Sequence, residues 1–179
     1  MANVKKKKPP HSQDIPKREV DVYFDTFAKQ FQHPLNRVLQ YVGLPIFWFA
    51  VIGLVWMIPF PEIGFLKEHG YDTFLNWGSF FIAGMIYYYL RLATTLSYAV
   101  LLTIGLFSFF IVKLEHLEQA GGPAAWVVCA VLLLASLLVL YLGKRMEKHP
   151  VPFRIFLQLL TLGPIWLWHF VFRKFNIPY

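Results

Sequence analysis

From Leu44 to Phe172 the chain is a succession of apolar, aromatic-rich runs, each near the length needed to cross a bilayer, with polar residues chiefly as punctuation between them. A water-soluble fold could not hide so much apolar surface. Hydrophobic residues make up 57% of the chain and charged residues 15%, with a mean hydropathy of +0.49, where soluble domains carry roughly 25% charged residues. The expectation is an all-α membrane protein, a bundle of four to five transmembrane helices preceded by an amphipathic interfacial helix. At 179 residues it forms one compact domain. The single cysteine, Cys129, lies inside an apolar run, where it reads as a small hydrophobe.

The expected spans lie near 44–60, 74–90, 94–112, 124–142 and 153–172. The stretch 74–112 is too long for one span, and Arg91 divides it, because a central Arg costs about 2.5–3.5 kcal/mol on insertion scales. A helical hairpin turning at the interface follows, with Tyr87, Tyr88 and Tyr89 as an aromatic belt. Gly163 and Pro164 interrupt the last run midway, so that run either crosses or re-enters.

Residues 1–19 read as a disordered basic tail on the cytoplasmic side. The segment is polar, carries Pro9, Pro10 and Pro16, and has no apolar run behind its charges as a signal peptide would. Lys5, Lys6, Lys7 and Lys8 serve as topogenic charge or as an attraction for anionic lipid. Residues 20–37 form the amphipathic segment: Val20, Phe24, Phe27 and Phe31 recur at steps of three and four, with Asp21, Asp25 and Lys29 opposite. Such a helix lies in the headgroup region or packs on the membrane domain, residues 38–179.

Five crossings with the N-terminus inside place thirteen Lys and Arg residues on the cytoplasmic side against four outside. If the last run re-enters, Arg173 and Lys174 move inside and the balance is fifteen against two. The positive-inside rule therefore orients the N-terminus to the cytoplasm, in a bacterial inner membrane or the endoplasmic reticulum.

The most informative motif runs from Phe31 to Pro45, FQHPLNRVLQYVGLP. Here the chain resembles the yeast-type 2-hydroxy fatty acid dioxygenase family, small polytopic membrane proteins that read His-x-x-Pro-x-Asn-x-x-x-His at this point. Pro34, Asn36, Gly43 and Pro45 match the structural positions. The resemblance implies Fe(II) held by histidines at the membrane surface, activating O2 to shorten a 2-hydroxy fatty acid. Phe31 and Gln40 stand at the two family histidines, and Lys144 follows Gly143 where the family has Gly-His. Phe has no donor atom and a protonated Lys no lone pair, so no cofactor is expected. An altered Fe(II) site from His33, Glu147 and His149 is the alternative. A second polar group, His69, Glu115, His116, Glu118 and His169, would approach at the other face if five helices cross.

Other chemistry is not signalled. Ser79, Ser97, Ser108 and Ser136 lie in apolar runs without a nearby His–Asp pair, and suit helix–helix hydrogen bonds. No span carries an acidic residue, which argues against a proton-coupled or cation transporter. The basic charge follows one side of the membrane instead of a nucleic-acid fold, so nucleic acid is not an expected partner. The functional expectation is a non-catalytic role in holding membrane lipids or other membrane proteins. The alternatives are an Fe(II)-dependent lipid oxygenase and an accessory subunit of a membrane complex or transporter.

Overall fold

The computed structural model describes residues 18–61 and 75–179. The tail with Lys5, Lys6, Lys7 and Lys8 lies outside the described residues, as does His69. Six helices are described: α1 (Glu19–Gln30), α2 (Pro34–Trp56), α3 (Trp77–Leu92), α4 (Thr94–Gln119), α5 (Ala125–Arg145) and α6 (Phe153–Lys174). Four of them, α2, α4, α5 and α6, are long and apolar enough to cross a membrane. The chain is an all-helical, polytopic membrane protein.

The amphipathic segment stops earlier than its periodicity predicts. Helix α1 ends at Gln30, not at residue 37, because Pro34 opens a new helix at a position where its missing N–H costs nothing. Its apolar face packs on protein: Phe24 and Phe27 each lie 5.4 Å from the Trp166 ring of α6, and Val20 and Phe27 are fully buried. Packing on the membrane domain is therefore observed. Helix α2 correspondingly begins ten residues before Leu44, because Asn36 and Gln40 are buried with partners instead of facing the headgroups.

Helices α2 and α5 run antiparallel in close approach, made possible by glycines. A Cβ on Gly43 would lie 2.9 Å from Leu140, and one on Gly53 2.6 Å from the Cys129 sulfur. Helix α4 lies alongside α2 with Phe107 against Phe49, 5.7 Å between rings, and α3 returns along it with Phe81 stacked on Trp48 at 6.3 Å.

The predicted hairpin is present, and it turns at Ala93, two residues beyond Arg91. Arg91 donates to the Tyr87 hydroxyl (2.8 Å) on the exposed side of the turn. Tyr89 departs from the aromatic-belt expectation: it is fully buried. Its hydroxyl donates to the Thr161 carbonyl at 2.6 Å, while the Trp48 indole N–H donates to the Leu160 carbonyl at 2.9 Å. Pro164 accounts for the second of these: it has no N–H for the carbonyl four residues back, that of Leu160, and the Trp48 indole of α2 supplies the donor instead.

Helix α6 does not run the depth of the bundle. Its first turn lies by the end of α5, where the Lys144 ammonium sits 5.8 Å and 5.3 Å from the Phe153 and Phe156 rings. Its middle touches α2 at Trp48 and Leu44, through Leu160 and Gly163. Its last turns return to the start of α2, with Trp166 bonded to Gln40 and Phe170 under Arg37 at 5.7 Å. A helix of 22 residues is about 33 Å long, yet these contacts with α2 fall between Arg37 and Trp48, a slice about 17 Å deep. Both its ends therefore lie at the end of the bundle where α2 starts and α5 stops, and α1 lies against its second half.

Candidate functional site

The break between α1 and α2 brings the sequence motif against the loop after α5. A helix that starts with Pro34 and has His33 at its N-cap lacks the short polar side chain that normally accepts the first free N–H groups. The acceptor comes from far along the chain. Glu147 accepts from the backbone N–H of Gln32 (3.0 Å) and of His33 (3.1 and 3.2 Å to its two oxygens), and from the Asn36 side-chain amide. A carboxylate here also faces the positive end of the α2 dipole.

From Asn36 the bonds run inward. The Gln40 amide donates to Asn36 Oδ1 at 3.4 Å, and the Trp166 indole N–H donates to Gln40 Oε1 at 3.2 Å. Trp166, Gln40, Asn36 and Glu147 thus form one chain of hydrogen bonds joining α6, α2 and the α5–α6 loop. Gly143 makes room for it, since a Cβ there would collide with Asn36 Oδ1. Glu147→Ala leaves two backbone donors and the Asn36 amide unpaired in a half-buried place. The expected loss is about 2 kcal/mol, read as a lower unfolding midpoint in detergent; Glu147→Gln, which keeps one acceptor oxygen, should lose about half as much.

The positions singled out by the resemblance are thus committed to packing and bonding. Phe31 is 3% exposed and lies 6.2 Å from the Phe27 ring. Gln40 is the middle of the bond chain, and Lys144 rests on the rings of Phe153 and Phe156. Pro34 starts α2, Asn36 and Gly43 lie in the α2–α5 contact, and Pro45 lies within α2.

His33, Glu147 and His149 line one cavity of about 340 Å³ together with Lys29 and Lys148. They do not converge as an iron ligand set: no group of three His, Cys, Asp or Glu side chains stands where it could share a metal ion among the described residues. The physical reason is that both Glu147 oxygens already accept from N–H groups. His33 Nδ1 is buried without a partner.

Of the described members of the second polar group, Glu115, His116 and Glu118 stay together at the end of α4 and His169 lies apart from them. Glu118 accepts from the Ala125 N–H at 2.9 Å, capping α5, and His116 Nδ1 meets the Val112 carbonyl at 2.7 Å. His169 is at the opposite end of the bundle, 4.3 Å from the Phe24 ring and bonded to the Tyr179 hydroxyl. Nearby, Asp21 pairs with Arg18 at 2.9 Å and holds its guanidinium above the ordinary value, while burial raises the Tyr179 phenol.

Trp48, Tyr89 and Trp166 carry structural bonds that periodicity did not single out. A signal for the first of them was present: Pro164 within an apolar run leaves the Leu160 carbonyl in need of a donor from a neighbouring helix. The demand for an acid at the start of α2 was also visible, in a helix start with no Ser, Thr, Asp or Asn at its cap.

No match was found among protein-family models, curated proteins or solved structures. Fold and site together define the class, a polytopic helical membrane protein in which one end of the bundle is closed by α1, α6 and the Glu147 cap.

Proposed function

We propose that the protein is a non-catalytic, dioxygenase-like membrane protein that holds membrane lipids or a membrane partner at its basic end. The observation that carries this reading is the use made of the motif. Glu147, the carboxylate available for an altered iron site, caps α2; Phe31, Gln40 and Lys144 are engaged with rings and amides. A scaffold of this kind keeps the turn and helix start that the family resemblance implies while its ligand positions serve stability.

The charge distribution supports an orientation with the N-terminus and the Lys144–Arg154 region on the cytoplasmic side. The membrane is a bacterial inner membrane or the endoplasmic reticulum. No nucleic acid is involved, because the cations gather at a membrane-facing end.

A second reading, an Fe(II)-dependent oxygenase of fatty-acid α-oxidation, is favoured by one feature, the cavity beside the unpartnered His33 Nδ1. Metal analysis separates the two. The purified protein should carry no stoichiometric iron after loading with Fe(II) without oxygen, and should consume no O2 with a 2-hydroxy fatty acid. Stoichiometric iron lost on His33→Ala, with O2-dependent loss of one carbon from the lipid, would establish the oxygenase instead.

A further inference from the structure

Adjoining the cavity beside His33, and sharing Glu147, Lys148 and His149 with it, the last turn of α5 and its following loop form an open cleft of about 460 Å³ lined also by Tyr141, Lys144 and Arg145. Two of its cations, Lys144 and Arg145, are held in place by aromatic groups rather than by acids. Arg145 donates twice to the Tyr141 hydroxyl, at 3.2 and 3.1 Å, with its guanidinium carbon 5.4 Å from that ring. Lys144 lies over Phe153 and Phe156. The one carboxylate that lines the cleft, Glu147, is spoken for by the N–H groups at the start of α2.

The α5 dipole by itself would favour two cations in the last turn. It does not account for Lys148 and His149 in the loop. Nor do the cationic side chains cap the helix, since the closing carbonyls accept from the Met146 and Glu147 backbone N–H groups. What remains is a cluster of cations whose one neighbouring carboxylate in the cleft, Glu147, is already engaged elsewhere.

The adjoining surface tells which anion. Leu134, Leu138 and Leu142 are exposed by 69%, 59% and 50% on the same helix, and on an apolar spanning helix such residues face acyl chains. The strip leads to Tyr141 and the cations of the last turn, the depth of a lipid phosphate. We propose that this cleft binds the phosphodiester of an anionic phospholipid, with Arg145, Lys144 and Lys148 on the phosphate and the acyl chains along Leu138 and Leu142. The proposal rests on the lipid-holding reading above and names its ligand class. Basic pockets at the cytoplasmic ends of spanning helices are suited to such headgroups, and each cation contributes about fivefold in affinity.

The test uses the full chain in neutral detergent, with native mass spectrometry to read retention of phosphatidylglycerol against phosphatidylcholine of the same acyl chains. Wild type should retain phosphatidylglycerol about tenfold more strongly, and millimolar inorganic phosphate should not displace it. The double variant Lys144→Gln/Arg145→Gln should bring the two lipids within about twofold. Arg173→Gln/Lys174→Gln, which removes equal charge from the same end of the bundle, should keep the preference, and circular dichroism should show both variants helical. Equal retention of the two lipids by wild type would overturn the site. So would displacement by inorganic phosphate, which marks a soluble anion, or an equal loss in the control variant, which marks diffuse attraction. Iron loading would sink the non-catalytic reading while leaving the lipid result standing, so the two failures are distinguishable.

Discussion

Gly143→Val is expected to lower stability by about 3 kcal/mol or more, the largest effect of any single substitution proposed for this chain. The added Cβ meets Asn36 Oδ1 at sub-contact distance, with Asn36 Cγ at 3.2 Å and Leu39 Cδ1 at 3.4 Å. Asn36 is short and cannot swing aside without releasing Glu147 on one side and Gln40 on the other. The cost is therefore overpacking plus two broken bonds at the place where α2, α5 and α6 are tied together. Gly84→Ala is the control, because a Cβ there meets nothing within 4 Å. It should be neutral or stabilising by about 0.5–1 kcal/mol. The comparison is made by thermal or denaturant unfolding in one detergent; equal midpoints for the two variants would remove Gly143 from any tight crossing.

A second expected result is all-or-none. Single cysteines replacing Lys148 and Lys174 should react with an impermeant thiol reagent from the same side of sealed vesicles, and one replacing Gln119 should react only from the other. Lys148 lies in the loop before α6 and Lys174 at its end, so a crossing helix would separate them. The contacts of α6 bring its two ends back to one end of α2. The native Cys129 is fully buried against Gly53 and should stay silent. Labelling of Lys148→Cys and Lys174→Cys from opposite sides would mean that α6 spans. If the two agree, positive charge divides fifteen against two, which strengthens the orientation with the N-terminus inside.

Helix existence was legible in the chain because a bilayer imposes one demand, that every backbone group bond within its own segment, and the apolar runs at 44–60, 94–112 and 124–142 answer it. The hairpin at Arg91 was legible for a related reason, since a charge marks where the chain meets water. Boundaries were less so. Helix α4 continues to Gln119 and α2 starts at Pro34. Polar residues extend a helix whenever a partner elsewhere satisfies them, and the partner is not local.

The same limit governs the site. That Phe31, Gln40 and Lys144 are not histidines is plain from the residues, and so is the absence of the short polar side chain that caps most helices at the start of α2. That Glu147 supplies the missing acceptor from more than a hundred residues away is a fact of packing, as is the separation of His169 from Glu115, His116 and Glu118. Membrane class, hairpin and the concentration of positive charge were determined by local composition, which acts on each segment alone. The contacts of α6 with α2, the burial of Tyr89 and the cap on α2 were decided only by tertiary structure, because each depends on which donor and which acceptor the packed helices bring within about 3 Å of one another.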